Sequence, residues 1–425
     1  MRCWSGWMRC ERLAAGDETV AVLRGLTARA ESVREVVGEI IAEVRAHGDV
    51  ALLGYTRRFD LGEVEPRPIR VAEAELEAAA AGLDPAVRHG IERAIENLDA
   101  VLAGWGRRPP QTAELGSSRV VLRQAPVARA AVYVPGGRAP YPSTVVMGVV
   151  PARRAGVEHI AVCAPPRRDG DVDPVVLGAC RLAGAQTVYR MGGAHAVAAL
   201  AYGTESVDAV DVIVGPGNLY VQEAKRQVFG QVGIDGFAGP SDLLVIAADD
   251  ANPETLALDL LAQAEHGSGT LVIAASDSPA LLSALEARVG KTEETGAAAC
   301  TVQTSSLDEA LALAEAFAPE HLQLVGARAE QLADRVTRAG CLFVGANAGT
   351  AFGDYIAGSN HILPTDGAAR FASGLTPDHF VRRFSQVHVE DPDELARSAA
   401  PLARAEGFEL HARSMEARIR DNDRR

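Results

Sequence analysis

From about residue 130 onward, short apolar runs of strand type alternate with stretches of helical pattern, and this alternation limits the fold more than any other feature. The runs cover 130–134, 159–164, 187–191 and 210–214; helical spacing covers 144–155, 174–183, 194–202 and 218–229. Neighbouring parallel strands cannot be joined by a tight turn, so each helix is read as a crossover and the block as βαβ units on a parallel sheet. A second alternation follows. Strands are predicted at 243–247, 270–275, 301–303, 322–325 and 342–344, with helices over 253–265 and 279–289. The capping box Ser306-x-x-Glu309 opens a third helix that runs to Phe317. The expected fold class is α/β, with two Rossmann-like domains. The sequence does not prove that the two blocks are duplicates.

Upstream, Val33, Val36, Val37, Ile40, Ile41 and Val44 recur at helical spacing, predicting a helix over 27–46. His47-Gly48-Asp49 then punctuates before a second short helix, and 73–105 reads as mostly helical. At the other end a strand at 387–389 precedes a helix over 392–419, with a break expected near Pro401. The first residues carry Arg and Trp without a long apolar stretch and do not read as a signal peptide. They are read as a frayed tail or an upstream start, with Met8 the alternative first residue.

Composition excludes several function classes. The net charge of −14 argues against nucleic acid or an anionic membrane surface as partner, since both require a basic footprint. No apolar run is long enough to span a bilayer. The six cysteines are scattered without a C-x-x-C pair, the pattern of reduced thiols in a cytoplasmic protein. Aromatics make up only 5%, so aliphatic side chains must fill the core.

The residues able to do chemistry fall into two groups. The G-x-G-x-x-G dinucleotide fingerprint is absent. In its place Tyr133-Val134-Pro135-Gly136-Gly137 and Gly215-Pro216-Gly217-Asn218 each follow a strand, and Met191-Gly192-Gly193 follows a third. Glycines there let a phosphate approach backbone N–H groups at a helix start, although each turn alone is weak evidence. The second group centres on histidines. His266 lies three residues after Gln263, His321 directly follows Glu320, His361 lies seven after Asp354, and His411 five after Glu406. None of these spacings is a standard zinc signature, and for each histidine a helix-end or hydrogen-bonded core role stays open.

The strings YVPGGRAPYPSTVVM, GPGNLYVQEAKRQV, IDGFAGPSDLLV, QAEHGS, APEHL, GDYIAGSNHILPT and AEGFELH, in this order, resemble the histidinol dehydrogenase family from about residue 30 to 415. The resemblance implies a zinc-dependent, NAD-linked oxidation of L-histidinol through L-histidinal to L-histidine, a four-electron reaction using two NAD molecules in histidine biosynthesis. It implies Gln263, His266, Asp354 and His411 as zinc ligands, with His411 and Glu406 crossing from the partner in a homodimer. Glu320 and His321 match the catalytic pair. Ser241, His361 and Glu406 match further substrate contacts beside Gln263, His266, Asp354, His321 and His411. Tyr133, His195 and Asn218 match the cofactor side. The domain reading that goes with it is a segment 1–23, a larger discontinuous domain 24–132 plus 241–375, a cofactor-side domain 133–240, and a C-terminal dimerisation arm 376–425.

Three departures stand out. His195 occupies a position where the family usually shows Gln; Leu271 replaces a usual Gln; and 374–389 lacks the usual Lys-containing pattern. They leave a second reading, oxidation of another small polar alcohol such as a sulfonated diol. A third reading is a catalytically dead relative that binds a metal or metabolite, which the retained Glu320-His321 pair disfavours.

Overall fold

The computed structural model describes residues 8, 10–26, 33–105, 109–136, 139–237, 239–293 and 295–420. Gly137 of the first glycine turn, Cys3 and the start of the 27–46 helix lie outside the described residues. By its contacts the chain divides into two units, Met1–Gly104 with Val127–Phe380, and Trp105–Pro126 with Val381–Arg425.

The first unit carries two all-parallel sheets. One contains β1 (Cys10–Ala14), β9 (Asp242–Ala247), β10 (Leu271–Ser276), β11 (Ala298–Gln303), β12 (His321–Val325) and β13 (Cys341–Val344), in the order β1-β11-β10-β9-β12-β13. The other, the first along the chain, contains β4 (Arg129–Tyr133), β5 (His159–Ala164), β6 (Thr187–Arg190), β7 (Val212–Val214) and β8 (Gly233–Ile234), in the order β6-β5-β4-β7-β8. Leaving β1 aside, the two orders are the same: the first strand is central, the next two lie on one side and the last two on the other. The switch points are therefore β4/β7 and β9/β12. Every residue of β9 and of β10 is buried, as expected where helices cover both faces of a parallel sheet.

Two sequence expectations change here. Residues 24–132 were expected with the second block, but the helix Arg34–Thr56 packs on the first sheet. Its Val37, Ile40, Ile41 and Val44 share a core with Ala198, Leu200 and Val221. The alanine-rich helix Gly193–Tyr202 lets the two backbones approach closely. Gly48 interrupts Arg34–Thr56 at φ 54°, as the punctuation predicted. The chain start is not a tail throughout. β1 pairs with the edge of β11, and Leu23 of the helix Thr19–Gly25 is fully buried beneath the sheet.

The second unit is an antiparallel sheet of β2 (Gln111–Glu114), β3 (Ser118–Pro126) and β14 (Val381–Val389), with the helices Asp393–Ala405 and Glu409–Glu416. The helix break falls at Glu406–Phe408 and not at Pro401, which lies inside the first helix. Gly407 takes φ 82°, and the Gly407 and Phe408 N–H groups close back onto the carbonyls of Arg404 and Ala403. This paired closure ends a helix more decisively than a proline whose lost bond is a single one. No helix among the described residues is long and apolar enough to cross a membrane.

Candidate active site

The helix Leu307–Phe317 ends at Ala318, a non-glycine residue held at φ 51°. That strained turn, followed by Pro319, feeds the chain directly into Glu320 and the start of β12. Since β12 lies beside β9, Glu320 and His321 meet Ser241 and Asp242. Glu320 N–H donates to Asp242 Oδ1 at 2.7 Å, and Asp242 N–H donates to Glu320 Oε2 at 3.0 Å. The Ser241 hydroxyl donates to the same Oε2, and Gln263 Nε2 donates to Ser241 Oγ at 2.6 Å. His321 Nδ1 lies 3.2 Å from the Asp242 carbonyl oxygen, so Nδ1–H donates there; Nε2 lies 3.6 Å from Asp354 Oδ1. Glu320, His321, Asp242 and Gln263 are all buried, none more than 6% exposed.

His266 and Gln263 come from the end of the helix Pro253–Ala264, which runs back from β9. His266 Nδ1 is 3.0 Å from the Gln263 carbonyl oxygen, which assigns the proton to Nδ1 and the lone pair to Nε2. Asp354 comes from the short helix Thr350–Tyr355, and its carbonyl oxygen accepts from His361 Nδ1 at 2.8 Å. His361 Nε2 in turn lies 3.3 Å from Thr144 Oγ1, at the start of the helix that follows β4. Thus the carboxyl edge of the first sheet meets the amino edge of the second.

The charges are strongly coupled. Burial pushes the Glu320 carboxyl up, although His321 and the Ser241 hydroxyl oppose it. Burial works against protonated His321, but Glu320 and Asp354 outweigh it and raise its pKa to about 9. Asp354 also overcomes burial: the His321 hydrogen bond, with His361 and His266 nearby, holds it below the usual carboxylate range. His361 is lowered by burial and so stays neutral. The surrounding carboxylates therefore favour the protonated ring of His321.

Gln263, His266, Asp354, Glu320, His321, Ser241 and His361 are thus gathered at one place. Glu406 and His411 lie in the second unit, both exposed; Glu406 caps one helix and His411 sits on the next, its ring 5.1 Å from that of Phe408. Among the described residues no group of three or more His, Cys, Asp or Glu side chains in the chain forms a metal-holding cluster.

The cofactor-side candidates sit at the other switch point. Tyr133 ends β4, and its hydroxyl accepts the Gly193 N–H at 2.9 Å. Gly215 follows β7 at φ 114°, packed against the Tyr133 backbone so closely that a Cβ would drive into its carbonyl oxygen. The Asp235 carboxylate accepts from Gly215 N–H, and Lys225 Nζ donates to the Gly215 carbonyl and to Asp235. Asn218 Oδ1 caps the next helix, accepting from Tyr220 and Val221. His195 is 1% exposed, its ring tilted against those of Tyr55 and Phe59. Among the described residues neither ring nitrogen has a hydrogen-bond partner, nor does Asp60 Oδ2, which lies 3.9 Å from His195 Nε2. Burial alone lowers His195 to about 3 and raises Asp60 to about 6.

Comparison with known proteins agrees with this geometry. The family model for histidinol dehydrogenase matches residues 24–419. The chain belongs to the histidinol dehydrogenase family. It is accordingly an oxidoreductase. It is 44% identical to a histidinol dehydrogenase of Cereibacter sphaeroides over 400 residues, covering 90% of this chain and 91% of that one. It is 40% identical to that of Bacillus subtilis over 424 residues, covering 96% and 98%. Among solved structures, the histidinol dehydrogenase of Elizabethkingia anophelis superposes with a TM-score of 0.87 at 30% identity, covering 97% and 98%.

Sequence reasoning passed over Asp242, whose Oδ2 lies 3.7 Å from Arg24 Nη1, and over Asp60, Lys225 and Asp235. Asp242, Asp235 and Lys225 stood inside family-like strings, but nothing in one sequence marks a buried charge. Only the fold shows that these side chains have left water.

Proposed function

We propose that the chain oxidises L-histidinol through L-histidinal to L-histidine, passing two hydrides in turn to two NAD molecules. The observation that carries this reading is the buried Glu320–His321 pair, bonded on one side to Ser241, which Gln263 holds, and facing Asp354 on the other. His321 takes the alcohol proton through Nε2 while Nδ1–H stays on the Asp242 carbonyl, which keeps the tautomer and ring direction constant. Because its pKa is raised to about 9, the fraction of His321 free to accept that proton grows as the pH rises. In the second oxidation Glu320 accepts a proton from the water that adds to the aldehyde carbon. Two adjacent titratable groups with separate tasks suit a two-step oxidation.

The donor set fits a divalent cation. Gln263 commits its Nε2 to Ser241, which leaves Oε1 as its acceptor; His266 has its proton on Nδ1; and Asp354 is held ionised. These three would hold zinc, with His411 of the partner subunit as the fourth ligand and a homodimer as the working unit. Zinc, when bound, supplies a charge that anchors the substrate's nitrogens, and NAD supplies the hydride acceptor. Tyr133, the Gly215–Gly217 turn, Asn218 and His195 would shape the cofactor crevice, and Glu406 would meet the substrate ammonium.

NADH formation from L-histidinol, with growth rescue of a histidine auxotroph, tests the reading. Chelation should abolish NADH formation and added zinc restore it. Activity that survives complete chelation refutes the metal assignment. Turnover of other polar alcohols without any of histidinol refutes the substrate.

A further inference from the structure

The amino end of the sheet that carries the cofactor-side candidates has no part in the proposed reaction. Arg129, His159 and Thr187 are the first residues of β4, β5 and β6, so all three stand at that end. A cavity of about 230 Å³ opens there, lined by these residues together with Arg70, Tyr189 and Asp208. It has room for about seven waters or one small metabolite. Arg70 is held beside β6 by the backbone. Arg190 N–H donates to the Ile69 carbonyl at 2.7 Å and Val71 N–H to the Val188 carbonyl at 2.9 Å, so 69–71 runs along the free edge of that strand. Among the described residues the Arg70 guanidinium bonds a hydroxyl, Thr187 Oγ1 at 3.2 Å, and no carboxylate. Arg129 Nη1 pairs at 3.0 Å with the exposed Asp208 carboxylate. Tyr189 is 2% exposed, and its hydroxyl accepts the Asp208 N–H at 3.3 Å, which leaves its own proton to donate. Burial first, then the Asp208 carboxylate, raises the Tyr189 pKa, so that proton stays on at neutral pH; Arg70 and Arg129 oppose the rise, which puts both guanidinium charges close to the phenol.

We propose that this cavity binds a small phosphate monoester, at the opposite end of the sheet from the glycine turns. The donors converge from separate elements: Arg129 from β4, Thr187 and Tyr189 from β6, and Arg70 from the segment along its edge, with the His159 imidazole from β5 beside them. A carboxylate offers two oxygens and one charge. A phosphate group offers three oxygens and up to two charges, which suits two guanidinium forks and two hydroxyls better. Arginine is also the cation whose planar fork matches phosphate oxygens in pairs. The net charge of −14 repels anions in general, so attraction at this place must come from the local cluster. Asp208 is the one carboxylate among the lining residues, and an incoming phosphate competes with it for Arg129. That ion pair is exposed and water-screened, so exchanging it costs little. The site shares no residue with the proposed catalytic, metal or cofactor positions, and it does not rest on the dehydrogenase reading.

Calorimetric titration of the full chain with glycerol 1-phosphate and with inorganic phosphate, at constant ionic strength with chloride as the balancing anion, tests the site. The ester should bind with a Kd below about 1 mM and more tightly than the free ion. Arg70→Gln and Arg129→Gln should each raise the Kd about tenfold, the worth of one charge-assisted hydrogen bond. Tyr189→Phe keeps the ring and should raise it about threefold. Asp208→Asn removes the competing anion and should lower it about threefold. This opposition of sign between the Asp208 and Arg variants is something that a general loss of folding does not produce. Phosphate could also settle at the glycine turns of the other sheet end, so binding that both Arg variants leave unchanged would overturn the proposal. So would the lack of saturable binding up to about 10 mM. Weaker binding of the ester than of the free ion would overturn the monoester assignment, and succinate binding as tightly as the ester would make the site one for carboxylates. No turnover enters this test, so its outcome is separate from that of the histidinol assay.

Discussion

The two parallel sheets of the first unit share one strand order, yet their candidate residues stand at opposite ends. At the β4/β7 switch point the candidate residues follow the carboxyl ends of the strands, the usual place for a ligand in such sheets. At β9/β12 they stand at the amino ends: Asp242 and His321 are the first residues of their strands. The contents differ as well. The first end is made of glycine turns, a capping Asn and a buried Lys225–Asp235 clamp, so it offers main chain and shape. The second end is made of buried carboxylates and imidazoles that share protons. Binding needs backbone that can be approached closely, whereas proton transfer needs side chains whose charges are set by each other. In the proposed function one topology serves both, because a switch point opens a gap at either end of the sheet.

If this division of labour is right, damage to the two ends should separate cleanly. The largest effect is expected from His321→Asn, which should lower kcat by about 10²–10⁴ with cofactor affinity unchanged, read by steady-state kinetics beside NAD titration. Equal losses in both would erase the contrast. Next comes Lys225→Met, which leaves Asp235 buried without its cation and should cost about 3–5 kcal/mol in denaturant unfolding. Its surviving folded fraction should show a raised KM for NAD and near-normal histidinol KM. Gly215→Ala forces a side chain into φ 114° and should cost about 1–3 kcal/mol, again with the cofactor KM rising first. A variant with wild-type stability would show that the turn relaxes freely.

The smallest effect concerns His195. Its folded pKa of about 3 lies below the unfolded value, so between about pH 3 and 6.5 the unfolded chain binds more protons and stability rises with pH. Asp60, raised to about 6, has the opposite slope between about pH 4 and 6 and partly cancels it. His195→Gln should remove only the first contribution. The mutant's stability relative to wild type should therefore fall as pH rises from 3 to 6.5, and a constant difference would mean that the ring is not buried neutral.

The period of the apolar pattern already specified much of the architecture. A run such as LLVIA followed by a helical stretch has no good alternative to a parallel βαβ unit, because only that arrangement buries both strand faces and pairs every backbone group. The helix ends were legible where side chains cap them, as at Ser306, but not at Gly407, where the stop depends on main-chain closure. Gln263, His266, Glu320, His321 and Asp354 were legible through motif strings and not through spacing, which is irregular for a metal site.

What the chain order could not reveal is which end of each sheet carries the candidate residues, or which charges lose water. The helix Arg34–Thr56 settled on the first sheet because its apolar stripe met an alanine-rich partner, a choice among surfaces that exist only once the sheets have formed. Arg24 and Asp242 lie 3.7 Å apart after more than two hundred intervening residues. Local sequence determines the period and the turns, since those depend on neighbours along the chain. Burial and charge pairing depend on neighbours in space, and so the protonation of Glu320 and His321 was decided only by the tertiary structure.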